Sequence, residues 1–311
     1  MIFDTLLITG CGGDTAMAMG RIAKESGAIR RLVGCDVHPH HAGKRVCDVF
    51  ELLPRAEDAG YVAALSDVAR RHGASVIVPT TDAEIRRLLN DGLLETIDGC
   101  PVVAPNAVAI RAGLDKFETN RVMVSNGLPA PWTRLAGREK PEAFPCVLKP
   151  RYGRGGRGVV RVEADDVEQY AAVGDTHIWQ ELILPEDQEY TCGLYRTADG
   201  ETRTITFRRW LQDGLTYAAE VAEIPAIDKL LVKIAEAVGL VGAINVQLRL
   251  AEDGPKVFEI NPRFSSTVGF RHKVGFRDFI WSLFERRNLK IESYCPPAVG
   301  TTLYRMTIEV I

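Results

Sequence analysis

"VLKPRYGRGGRGVVRV", residues 147–162, sets four glycines and five cations in one short stretch. Lys149 follows the apolar run "PCVL", which reads as a strand, and "GVVRV" resumes a strand beyond the glycines. The loop between them is therefore a hairpin tip. Gly153, Gly155, Gly156 and Gly158 carry no β-carbon, so backbone N–H groups there can approach an oxyanion closely. A P-loop would need Gly-Lys-Ser/Thr opening a helix, and that pattern is absent. With the lysine ahead of the glycines, the stretch suits a flexible flap closing over phosphates that the lysine holds. An ordinary glycine turn with solvated arginines is the weaker reading, because this backbone is costly to order without a ligand.

A second polar constellation lies downstream. In "INVQLRL" (244–250) the strand period of two puts Ile244, Val246, Leu248 and Leu250 on one face and Asn245, Gln247 and Arg249 on the other. In "VFEINPR" (257–263) the same period groups Phe258 with Ile260, and Glu259 with Asn261 on the opposite face. The turn "AEDGP" pairs the two strands, so Gln247, Glu259 and Asn261 converge. Such oxygen donors suit magnesium or manganese, and Arg263, just past them, can meet a transferring phosphoryl group. Between the two sites, "WQELILPEDQEY" (179–190) reads as a strand running into a turn. It can offer backbone groups to an adenine edge, with Glu181 or Glu189 accepting from amino or ribose hydroxyl groups.

The first hundred residues alternate strand and helix. "TLLITG" is a strand, Asp14 caps a helix through Ala16–Ser26, "RLVGCD" is a second strand, and "DAGYVAALSDVARRHG" is an amphipathic helix. "SVIVP" is a third strand, followed by a helix from Asp82 and then "PVVAP". This alternation predicts an open parallel sheet covered by helices. "DKFETNRVMVSNG" is a helix and "LPAPW" an extended connector. A small α+β unit follows to about Ile183 in the order strand, glycine loop, strand, helix, strand. The remainder holds the hairpin "YTCGLYRTADGETRTITFRRW", a helix over Ile227–Val238, the polar hairpin, and a last helix over about Phe276–Asn288. The fold class is α/β followed by α+β, in three units: 1–109, 110–183 and 184–311.

The first glycine loop, "TGCGGDTA" (9–16), invites a dinucleotide reading with Asp36 on a ribose hydroxyl. The third glycine of that fingerprint would fall at Thr15, so the loop reads as a tight strand-to-helix turn. "HPHH" (38–41) has the spacing of neither a helix face nor a strand face and reads as a solvated loop, and His72 and His177 are read the same way. The seven cysteines are scattered without a short metal-binding spacing and read as small hydrophobes. A net charge of −3 argues against nucleic acid as partner. The N-terminus does not resemble a secretory signal, and no stretch approaches the roughly 20 apolar residues of a membrane span. A soluble, cytoplasmic protein is expected.

The order of motifs resembles the ATP-grasp superfamily, most closely its carbamoyl phosphate synthetase branch. The resemblance rests on Asp115–Lys116, "VLKP" with its glycine loop, "QELI" and "VFEINPRFSS". It implies a Rossmann-like pre-ATP-grasp domain, a central lid subdomain and a C-terminal subdomain, with ATP clamped between the last two. By motif, it implies that Lys116 and Lys149 contact the phosphates and that Gly153–Gly158 form the flap. Glu181 and Ile183 would line the adenine slot, Glu189 would meet the ribose, and Gln247, Glu259 and Asn261 would hold one or two magnesium ions. Arg263 would stabilise the transferring phosphoryl group. Many relatives carry an acidic residue where this chain has Gln247, which leaves Glu259 as the one carboxylate placed on the metal.

The implied chemistry is ligation of a small-molecule carboxylate to an amine or ammonia through an acylphosphate, releasing ADP and phosphate. A phosphotransferase and a silent nucleotide-binding module are the alternatives, and a nicotinamide-dependent oxidoreductase is the weakest. The substrate is expected beside Thr81 and Asp82 in "PTTDAE" and near Ser265, Arg271 and Lys273 in "SSTVGFRHKVGF", whose cations suit a second carboxylate. The competing reading of that last stretch is a solvated basic loop. A homodimer is a superfamily-level expectation.

Overall fold

The computed structural model describes residues 1–153, 155–170 and 172–306; Arg154 of the glycine stretch lies outside them. The chain opens with β1 (Phe3–Ile8), α1 (Asp14–Glu25), β2 (Ile29–Asp36), β3 (Val49–Leu52), α2 (Tyr61–Arg71), β4 (Val76–Val78) and α3 (Asp82–Asn90). The four strands form a parallel sheet in the order β3-β2-β1-β4. β3 was not anticipated. It is an edge strand with no buried residue, so its sequence lacks the apolar run that marks its neighbours, and "SVIVP" becomes the fourth strand. Gly13 precedes the first turn of α1, and Asp14 is its first helical residue, where a carboxylate favours the helix dipole. Thr81 caps α3 in a reciprocal box with Glu84.

β5 (Thr96–Ile97) and β6 (Cys100–Pro101) form a short ribbon, with Val102 bridging once to Ile77. α4 (Ala107–Leu114) leads to α5 (Lys116–Ser125), whose N-terminus is capped by Asp115 accepting from the Phe117 N–H at 2.9 Å. β7 (Thr133–Leu135), β8 (Cys146–Pro150), β9 (Val160–Val162) and β10 (His177–Glu181) make an antiparallel sheet in the order β7-β10-β8-β9. The glycine stretch is the tip of its β8–β9 hairpin. The helix anticipated between β9 and β10 is instead a pair of short 3-10 segments, Ala164–Tyr170 and Gly174–Thr176, with no buried residue among those described. Val167, Tyr170 and Val173, all only partly buried, do not make an apolar stripe wide enough to seat an α-helix.

β11 (Glu189–Arg196), β12 (Thr202–Gln212), β13 (Leu215–Ala222), α6 (Pro225–Ala237), β14 (Gly242–Ala251), β15 (Gly254–Asn261), α7 (Val268–Lys273), α8 (Asp278–Glu285) and β16 (Thr302–Tyr304) complete the chain. The strands form a six-stranded antiparallel sheet, β15-β14-β11-β12-β13-β16. Ile227, Leu230, Leu231 and Ile234 give α6 a helical stripe that packs with Leu194, Ile244 and Val246 on one face of this sheet. On the other face, Tyr195 and Phe207 share one core with Phe276, Phe279 and Trp281, and also with Phe3, Leu6 and Met19 of the parallel unit. That shared core turns the carboxyl ends of β1, β2 and β4 toward the polar face of β14 and β15. Neither α7 nor β16 was anticipated; α7 falls in the stretch whose cations were expected to meet the substrate, with a solvated basic loop as the competing reading, and it buries Val268, Phe270 and Arg271.

Candidate active site

One cavity of about 1090 Å³ runs from the carboxyl ends of the parallel strands, under the glycine flap, to β14 and β15. Lys116, Lys149, Gly153, Gly155 and Gly156 line its roof and wall, and Glu181, Ile183 and Glu189 line one end. Gln247, Glu259, Asn261, Arg263 and Ser265 line its floor, and Thr81 lines it from the parallel unit. Gly158, Asp82, Arg271 and Lys273 do not reach it.

The flap is tied at its base and touches the large sheet at its tip. Asp115, besides capping α5, pairs with Arg151 at 2.5 Å. The Lys116 ammonium donates to the Gly153 carbonyl at 2.9 Å and lies 3.9 Å from the Glu259 carboxylate. In the β12–β13 turn, Gly214 has φ +76°, and a β-carbon there would sit 2.4 Å from the Gly155 carbonyl oxygen. Only glycine permits that approach.

Lys149 is buried and donates to the Phe258 carbonyl at 3.2 Å. Burial pushes its pKa down to about 7; Glu259 pulls it back up, while Lys116 and Arg249 push it further down. A group of this kind gains its proton when an anion arrives. Phe258 itself departs from the expected alternation. A register shift between Gln247 and Leu248 leaves Gln247 opposite Glu259 and Leu248 opposite Val257. Phe258 is the extra residue of the bulge. Val257 takes the core position beside Ile260, and Phe258 lines the cavity, with Lys149 5.4 Å from its ring centre.

Two arginines complete this end: Arg249, from the polar face of the β14–β15 hairpin, and Arg209, not singled out in the sequence. Arg209 and Arg249 clamp opposite oxygens of Glu189, Arg249 at 2.9 Å, and Arg209 also donates to the Gln247 side-chain oxygen at 3.1 Å. Arg209 sits in "FRRW" on a strand, where one of two adjacent arginines must face inward, and that alternation was the available signal. Glu181 is held by Lys256 at 2.7 Å, and the Ile183 carbonyl accepts from Arg249 at 3.1 Å. Gln247, Glu259 and Asn261 line the cavity together, and each carries a side-chain oxygen of the kind a hard divalent cation takes, the Gln247 oxygen also accepting from Arg209.

At the floor, Arg263 pairs with Asp82 at 2.6 Å, joining β15 to the start of α3. Arg271 is a correction. It is 1 % exposed, pairs with the equally buried Asp278 at 2.7 Å, and donates to Ser265 and Thr267. It supports the floor from beneath and offers no cation to a substrate. Lys273 is likewise a correction: it is exposed at the end of α7, away from the cavity. In the first glycine loop the Gly12 N–H donates to the Asp36 carboxylate at 2.9 Å, so the turn supplies Asp36 with a partner of its own. Of "HPHH", His38 and His40 are exposed, as a solvated loop predicts, whereas His41 is half-buried against Phe50 and Cys11.

A cleft between two antiparallel sheets, roofed by a glycine hairpin and preceded by a parallel α/β unit, defines the ATP-grasp fold class. Residues 114–267 match the family model described as an ATP-grasp domain. The chain is 29% identical over 253 residues to the carbamoyl phosphate synthase large chain of Streptomyces coelicolor, covering 73% of this chain and 21% of that one. It is 30% identical over 206 residues to the D-alanine–D-alanine ligase of Mycolicibacterium smegmatis, covering 55% of each. The chain thus spans about a fifth to about half the length of these curated relatives. A solved complex of biotin carboxylase from Campylobacter jejuni with an ATP ligand superposes with a TM-score of 0.72 at 16% identity, covering 96% of this chain and 74% of that one. Among the described residues no helix is long and apolar enough to cross a membrane.

Proposed function

We propose that the protein is an ATP-dependent ligase that joins a small-molecule carboxylate to an amine or ammonia through an acylphosphate, releasing ADP and phosphate. The observation that carries this reading is the convergence of Lys116, Lys149 and Glu259 under the glycine flap, in the same cavity that opens onto the parallel strands. The names of the relatives point to the same bond type.

In this reading Lys149 and Lys116 neutralise the triphosphate, and the flap excludes water that would hydrolyse the acylphosphate. Glu181 and Ile183 line the adenine slot, and Glu189, fixed by Arg209 and Arg249, faces the ribose. Gln247, Glu259 and Asn261 would hold magnesium or manganese, which supplies charge stabilisation on the phosphate oxygens when bound. Arg263 leaves Asp82 to meet the transferring phosphoryl group. A substrate carboxylate oxygen bonds to the γ-phosphorus as its bond to ADP breaks. The amine nitrogen then bonds to the acyl carbon, phosphate leaves, and the nitrogen gives up a proton. Thr81 and Ser265, which line the same cavity, would meet the carboxylate substrate.

The test is a panel of small carboxylates with ATP, magnesium and hydroxylamine. Hydroxamate formed with stoichiometric ADP and phosphate supports the ligase. ADP with a phosphorylated product and no hydroxamate points to a phosphotransferase, and nucleotide binding without turnover across the panel points to a silent module.

A further inference from the structure

We propose that Cys11, Asp36 and His41 form a binding site for a zinc-class divalent cation at the parallel-sheet end of the cavity, separate from Gln247, Glu259 and Asn261 on β14 and β15. A thiol sulfur, a carboxylate oxygen and an imidazole nitrogen lie there within 4.8 Å of one another. Thiolate, imidazole and carboxylate together are the donor set of borderline-soft zinc, whereas magnesium takes oxygens.

Each donor is held by a different rigid feature. The Cys11 N–H donates to the Cys35 carbonyl at 3.0 Å, which pins the first glycine turn to the end of β2. Asp36 closes β2 and takes the Gly12 N–H on one oxygen and the His38 N–H on the other, so each oxygen keeps a lone pair. His41 stacks edge-on against Phe50 at 5.2 Å. The next turn is seated so closely that a β-carbon on Gly43 would lie 1.9 Å from the Cys11 carbonyl oxygen. The backbone of the first glycine turn and the Phe50 ring hold the three side chains together, and the one contact between them is that of the Cys11 sulfur with His41 Nε2 at 3.9 Å.

The imidazole supplies an independent sign. Its Nδ1 is buried with no hydrogen-bond partner, and its Nε2 has only the Cys11 sulfur, at 3.9 Å, beyond the length of a good hydrogen bond. Nε2 is the ring nitrogen turned toward the Cys11 sulfur, and without a hydrogen bond of good length it is the nitrogen free to ligate. Asp36 and His41 line the cavity while Cys11 is buried behind them, so a three-ligand ion would keep its open position toward the cavity. A second sulfur, Cys47, stands close by: a β-carbon on Gly34 would lie 2.2 Å from it and 3.0 Å from the Cys11 sulfur. Cobalt(II) would report directly on thiolate ligation.

The experiment is titration of the purified full chain with zinc chloride against a competing chelator, with cobalt(II) absorption as a second readout. Wild type should bind one equivalent with proton release, because the thiol must ionise, and should show thiolate-to-cobalt charge-transfer absorption. Cys11→Ser should abolish that absorption. Cys11→Ser and His41→Ala should each weaken zinc by more than the roughly 10- to 100-fold that outer-shell changes cost. Asp36→Asn serves as a third variant should the buried Cys11 substitution fail to fold, and thermal melts of each protein establish folding. Wild type without zinc affinity, or folded variants that bind zinc as wild type does, would overturn the proposal. It does not depend on nucleotide binding, which is read separately with ATP and magnesium.

Discussion

Lys149 carries the clearest residue-scale consequence. Its folded pKa of about 7 lies below the ordinary 10.5, so the unfolded chain binds more protons between those pH values. The stability cost of burying this ammonium is therefore fully present below about pH 7 and is lifted as pH rises toward 10.5. Lys149→Met should raise the melting temperature relative to wild type most at pH 6, with the gain fading toward pH 10; a gain independent of pH would contradict the assignment. Glu189 stands between two arginines that are themselves largely buried, so Glu189→Ala takes from Arg209 its carboxylate and leaves Arg249 only Glu186, at 3.9 Å. Loss of about 3 kcal/mol in urea unfolding is expected. At this scale the sequence was most legible where a residue type has few other uses, as with the lysine before a glycine run. It was least legible where a long side chain had two directions open to it. Arg271 looked like a substrate ligand and is a buried brace for Asp278, because nothing local reveals that its partner lies seven residues on.

Elements were legible wherever a period was unbroken. α6, the β11–β12 hairpin and β14 all follow their apolar spacing. The bulge that swings Phe258 into the cavity broke the period of two, and a bulge is set by cross-strand geometry that a single strand does not display. β3 and β16 were missed because edge strands bury little and carry a weak pattern. The contact between flap and β12–β13 turn belongs to this scale. Gly214→Ala cannot be accommodated with the flap seated, and it should expose the chain to trypsin at Arg157 and weaken ATP by about 10-fold, or about 1.4 kcal/mol. Limited proteolysis with and without ATP and magnesium checks this; equal protection in variant and wild type would show that the turn does not seat the flap.

On the scale of the whole molecule, the shared core of Phe3, Leu6, Tyr195, Phe207 and Trp281 brings two distant glycine loops and the polar hairpin to one cavity. The order of motifs made the fold class legible, but that convergence was not, since it depends on packing between parts of the chain far apart in sequence. Arg263 is bonded to Asp82 across that junction, next to the polar hairpin. Arg263→Met should leave ATP affinity within a few-fold of wild type while hydroxamate formation falls by about 100-fold, as removal of a transition-state donor does; a parallel loss of both would make it a binding residue only. The most direct test of the account is thermal stabilisation by ATP with magnesium for wild type, Lys149→Ala and Glu259→Ala. Nucleotide at 100 times its dissociation constant should stabilise wild type by about 2.7 kcal/mol, and neither variant should approach that shift. An equal shift in all three proteins, or none in wild type, would contradict the site.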